Sequence, residues 1–217
     1  VDDKYNYLAG RDMNPVVPSS IDGIPVTSIG EANYYCRDLL ENDHNVSNSF
    51  NGYVYYSSGN GSNVDRNKNV VLNSITLNEG IKSISGSSFA YNRLENVNFP
   101  STLQTIEENA FLANLLTEVV FDPSTSLYIG KRAFNNNQIE KIVLNGDITF
   151  DSDLLDKNDH GFVDGGVFKN NPVTEIVNNT GKSYDWQLLL TGEEGEAFET
   201  GSLEIDGRKI EITKDET

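Results

Sequence analysis

The sequence is short of the residues that carry most active-site chemistry. Its 217 residues include one cysteine, Cys36, and two histidines, His44 and His160. A single cysteine excludes an intramolecular disulfide framework. Two histidines are too few for a convincing zinc site with their neighbours. Cys36 and His44 are close in sequence, but nothing else marks a nucleophile and its base, and Cys36 reads as a small apolar residue near the start of the fold. No glycine-rich phosphate loop, G-x-S-x-G elbow or DNA-reading motif appears. Basic residues are scarce too: 16 Lys and Arg stand against 33 Asp and Glu, a formal net charge of −17. Such a chain repels phosphates, which excludes nucleic acid and anionic membrane as natural partners. No apolar run approaches the roughly 18–20 residues of a membrane span. The expectation is a protein without enzymatic activity and without a cofactor. The acidity itself reads as solubility of an exported protein, or as a means of holding calcium or a basic partner.

Hydrophobic residues make up 37% of the chain, little for one compact core but enough for a thin, elongated one. What the chain has in quantity is repetition. Ile84, Phe89, Asn92, Leu94, Val97 and Phe99 recur as Ile106, Phe111, Asn114, Leu116, Val119 and Phe121, each 22 positions on. Ile129, Phe134, Asn137, Ile139, Ile142 and Leu144 form a further copy, and Val163, Phe168, Asn171, Val173 and Ile176 another. A fixed period of roughly 20–50 residues signals stacked supersecondary units. Each recurrent Phe contributes roughly 1.5–3 kcal/mol when fully buried. The Asn that follows it suits the end of a turn, where left-handed backbone and side-chain bonds to the main chain are useful.

Within a copy, Leu94-x-x-Val97-x-Phe99 has L-x-x-L-x-L spacing. Alternation along a strand turns Val97 and Phe99 inward and Asn96 and Asn98 outward. Strands of successive copies are expected to pair in parallel into one long sheet. The Ile-to-Phe half supplies the returning side, where Thr105 and Glu108 resemble a capping box and predict a short helical or 3-10 turn. Small residues at 110 and 133 permit close approach of neighbouring turns.

The recurring I-x-x-x-A-F-x-x-N-x-L-x-x-V-x-F, with the opening P-S-S-I-D-G-I-P-V-T-S-I-G, resembles the BspA-like leucine-rich repeats of bacterial cell-surface proteins. The resemblance spans roughly residues 14 to 178. It implies a leucine-rich repeat solenoid, of the α/β repeat class but mostly β. Its curved parallel sheet would carry short helical or 3-10 turns on the opposite side. It further implies an exported or surface-attached protein used in adhesion or protein binding, with no catalytic motif. Tyr34, two insertions and the C-terminal end depart from the pattern, and no cell-wall anchor signal is visible. The chain begins at Val1 and not at Met, so it is expected to be a mature or trimmed piece.

The expected organisation has four parts. Residues 1–37 hold an N-terminal cap and first repeat. Residues 38–69 are an insertion, a hairpin or loop around the β-prone Tyr53–Tyr56. Residues 70–180 carry the repeats, interrupted at 151–161. Residues 181–217 form a C-terminal cap, with a short helix begun by Ser183 as N-cap and a hairpin turned at Asp206-Gly207. A two-residue loop there places Leu203 opposite Ile210 and Glu204 opposite Lys209. Trp186 and the three leucines after it would cover the end of the apolar spine.

Binding residues are sought among the outward positions that do not repeat. One row across the concave face is Ser74, Asn96, Glu118, Lys141 and Glu175. The next is Thr76, Asn98, Val120, Val143 and Val177. Three exposed valines in line point to a ligand surface with a polar margin, or else to β-branched residues chosen for the sheet or covered by the C-terminal segment. Phe50, Tyr53, Tyr55 and Tyr56 suit a sugar- or protein-contacting tip, or anchors that fix the insertion. Asp151, Asp153, Asp156, Asn158 and Asp159 are oxygen-rich, but an EF-hand beginning at Asp156 has Val167 at its twelfth position, so a solvated acidic loop is the plainer reading and no metal site is assigned. Glu193, Glu194 and Glu196 read the same way. The expected function is extracellular protein binding or adhesion through the sheet face and the insertion, at a host or neighbouring-cell surface. A carbohydrate-binding module and a structural spacer are the alternatives.

Overall fold

The computed structural model describes residues 14–30, 72–154 and 165–215, and the backbone of three further strands, His44–Asn45, Tyr55–Ser58 and Gly61–Val64. The chain is mostly β, and its long-range order comes from two parallel sheets built by the same stretch of sequence. The expected sheet is one of them. In it Glu118–Val120, Lys141–Leu144 and Glu175–Asn178 run parallel, with Val119, Ile142 and Ile176 in register. These three side chains are buried at 0–1% exposure, and the residues flanking them turn outward, as alternation requires.

The Ile-to-Phe half departs from expectation. Its isoleucines do not begin a helical turn; they end short strands of a second parallel sheet, in the order Ser28–Ile29, Ser83–Ile84, Thr105–Ile106, Ser126–Ile129 and Asp147–Phe150. Thr105 is therefore a strand residue paired with Tyr128 and not an N-cap. Glu108 instead reaches the guanidinium of Arg132 in the next coil.

Between the two sheets each coil closes by consecutive turns, and among the described residues the repeats contain no helix. The turns follow a two-residue rhythm. Ala110 and Leu112 donate back three residues to Glu107 and Asn109, while Asn109, Phe111 and Ala113 donate across to Lys131, Ala133 and Asn135 of the next coil. A helix would direct all these N–H groups along its own axis. Here every second one ties coil to coil, which needs left-handed backbone at Asn109 and Ala113, φ 59° and 57°. Ser87 with Tyr91 and Arg132 with Asn136 repeat the arrangement. The left-handed residue thus lies one position before the recurrent Asn and not on it.

The core is a continuous spine. Phe89, Phe111, Phe134 and Phe168 stack with centroids 5.2, 5.5 and 5.5 Å apart, within the range that favours offset rings. Beside them runs a buried file of amides. Asn114 accepts from Leu94 N–H and donates to the carbonyls of Phe89 and Phe111; Asn137 accepts from Leu116 and donates to Phe111 and Phe134. A turn buried in a stack leaves backbone groups without partners, and the Asn supplies both an acceptor and donors there.

At the C-terminal end the helix is Trp186–Thr191, capped by Asp185 and not by Ser183; Asp185 Oδ1 accepts from Leu188 N–H at 2.9 Å. The cap shifts because Tyr184–Asp185 pairs as a strand with Ala197–Phe198. Trp186, Leu189 and Leu190 are buried against the spine. Leu203 faces Ile210 and Glu204 faces Lys209, with Asp206 and Gly207 at φ 52° and 72° in the turn. This hairpin does more than follow the repeats. Arg208–Thr213 pairs in parallel with Glu175–Asn178 and so extends the first sheet.

Candidate ligand-binding face

The outer surface of the first sheet is built from rows fixed by strand register. Glu118, Lys141 and Glu175 stand side by side, and the hairpin adds Glu211. Val120, Val143 and Val177 form the second row, continued by Thr213. Asn96 and Asn98 are exposed on the neighbouring coil. The strip is not uniform. Val120 is 44% exposed, Val143 is half-buried and Val177 is only 6% exposed. The expected run of three exposed valines is corrected to two, because Val177 lies between Val143 and Thr213 in register. Just beyond it, Asn179 bonds both Asn145 and Asp215.

Charge on this face is unevenly satisfied. Lys141 Nζ lies 2.7 Å from Glu175 Oε1, and this hydrogen bond holds the ammonium above its ordinary pKa. Glu118, its neighbour on the other side, forms no ion pair among the described residues. Asp122 accepts from Ser124 N–H and Oγ–H, which hold its carboxyl below the usual range. It too lacks a cationic partner among the described residues.

Between the coil of Asn96–Phe99 and the strand Glu118–Val120 lies a groove of about 470 Å³. Val97, Phe99, Val120, Phe121 and Pro123 provide its apolar lining, and Asn96, Asn98, Glu118, Asp122 and Asn145 its polar lining. The groove coincides with a break in backbone pairing. Leu115 and Thr117 donate to Leu94 and Glu95, and there the ladder stops. Asn96, Val97, Asn98 and Phe99 make no backbone hydrogen bond among the described residues, although their side chains alternate outward and inward like those of a strand.

The period, the parallel sheets and the Phe and Asn files meet one independent finding. The family model for the BspA type leucine rich repeat region matches residues 67–158 in six copies. Residues 67–158 are a BspA-type leucine-rich repeat region. No curated protein and no solved structure matches the chain. Leucine-rich repeats generally serve as protein-interaction modules and not as enzymes, and BspA-type repeats are typical of bacterial surface proteins. The matched residues include the whole groove, while Glu175, Val177, Glu211 and Thr213 lie beyond them.

Other candidates fall differently around the BspA-type repeats. Tyr53, Phe50 and Cys36 lie outside the described residues, as do Asp156, Asn158, Asp159 and His160. Tyr55 and Tyr56 belong to a strand paired antiparallel with His44–Asn45 and Gly61–Val64, and only their backbone is described. Among the described residues, no group of three or more His, Cys, Asp or Glu is arranged to hold a metal ion. No helix among them is long and apolar enough to cross a membrane. Sequence reading missed Glu211 and Thr213 as members of the face. The signal was present, since Glu211-Ile212-Thr213 repeats the pattern of Glu175-Ile176-Val177.

Proposed function

We propose that the chain is an extracellular protein-binding module of a bacterial surface protein. In this reading it is a solenoid with adhesion to a host or neighbouring cell as its role, and the first sheet's outer face holds the ligand. One observation carries the reading: the groove is lined by Asn96, Asn98, Glu118 and Val120, outward positions that change from Asn and Asn to Glu and Val between adjacent coils. Scaffold positions repeat because packing dictates them, whereas recognition needs side chains that vary. Lys141, Val143 and Glu175 continue the same surface, and Val177 closes its buried end. No cofactor is needed for such a role. Residues 70–180 would then act as scaffold and face, and residues 181–217 as an end cap that also widens the face.

Capture of surface proteins from host or neighbouring cells on the immobilised chain tests this, with a glycan array in parallel. A V120S/V143S variant that keeps the native thermal transition is expected to lose the captured protein. Unchanged capture by that variant would refute the face, and selective glycan binding would refute the ligand class.

A further inference from the structure

We infer that the groove takes an extended peptide strand carrying basic side chains, a specification that rests on the sheet face being the binding surface. Two features converge on it. The first is the interrupted ladder: residues 96–99 have strand-like alternation, but among the described residues their main-chain N–H and C=O groups make no backbone hydrogen bond, and they lie beside an open groove. Unpaired backbone of this kind accepts an added strand, whose main chain supplies affinity and whose alternate side chains supply specificity.

The second feature is charge. Glu118 and Asp122 line the groove, and among the described residues no Lys or Arg does. The nearest cation along the row, Lys141, is engaged by Glu175 at 2.7 Å. Glu118 and Asp122 are four positions apart with the same outward sense, about 13 Å along an extended chain. A peptide lying along the groove meets them with residues i and i+4. Between them, the side chain at i+2 lays its aliphatic stem over the exposed flank of Val120. The net charge of −17 steers a basic segment toward the protein and repels an acidic one.

The test uses short fluorescent peptides of alternating Lys and Val, Thr and Val, or Glu and Val, with affinity read by anisotropy at low and high salt. The intact protein is expected to bind the Lys–Val peptide best. E118Q/D122N is expected to weaken it by about tenfold and to flatten its salt dependence, whereas E193Q/E194Q, an equal change of charge elsewhere, leaves it within about twofold. E118K/D122K is expected to prefer the Glu–Val peptide. Equal losses in E118Q/D122N and E193Q/E194Q would overturn the inference, leaving only diffuse attraction. If Thr–Val binds as tightly as Lys–Val and only V120D abolishes both, the basic class is wrong while the face stands. If V120D also changes nothing, the face falls with it.

Discussion

Asn137 donates to the carbonyl of Phe134 in its own coil at 3.0 Å and to that of Phe111 in the preceding coil at 2.9 Å. One side chain therefore fixes both the shape of a turn and the spacing between two turns. Asn114 and Asn171 do the same for their coils. Replacing Asn137 by Ala leaves buried main-chain groups without partners, each costing about 1–3 kcal/mol. N137A is expected to lose at least about 3 kcal/mol in urea unfolding, and N137D to fare no better, because a carboxylate brings no donor. A loss below about 1 kcal/mol would mean that water replaces the amide.

Phe134 stacks between Phe111 and Phe168, and Phe99 meets its edge. F134A opens a cavity in the middle of the spine, where neighbours on both sides are held by ladders and cannot collapse. A loss of about 3–5 kcal/mol is expected from denaturant unfolding. F134L is expected to lose distinctly less.

Gly130 is pressed against the preceding coil. A Cβ there would lie 2.6 Å from the backbone nitrogen of Glu108. Backbone cannot swing aside as a side chain can, so G130A is expected to destabilise by about 1–3 kcal/mol or more, seen as a lowered thermal midpoint.

Tyr128 stands on the outer face of the second sheet. Partial burial, a hydrogen bond to Asp151 and the charges of Asp151, Asp153 and Glu107 push its phenol up to about 12. The native state thus holds the phenolic proton more tightly than the unfolded chain, whose tyrosines titrate near 10. The stabilisation is complete below about pH 10 and is lost as pH rises from there to about 12. Ultraviolet titration is expected to show a late-ionising phenol that Y128F removes.

The legible parts of this fold were those with a local or strictly periodic cause. Phe111, Phe134 and Asn114 could be read because one job recurs at one spacing, and Leu203 opposite Ile210 because a two-residue turn leaves a single register. The second sheet was hidden because Ser83–Ile84 and Thr105–Ile106 are two residues long, too short for alternation to be visible. The helical turn expected at Thr105 failed for a related reason: cross-coil bonds at alternate residues outcompete a local capping box. Val177 pairs with Thr213, which enters only when the hairpin joins the sheet. On the candidate face, Asn96, Asn98, Glu118 and Val120 were legible as outward positions that change between two otherwise matching copies. The groove beside them was not, because it comes from backbone pairing that stops after Thr117.

Site-resolved hydrogen exchange, on the protein alone and with the Lys–Val peptide bound, tests the binding groove most directly. Alone, the amides of residues 96–99 are expected to exchange fast while those of Val119 and Ile142 stay protected, and peptide should slow residues 96–99 first. Protected amides at 96–99 in the free protein, or slowing confined to other residues on binding, would contradict it.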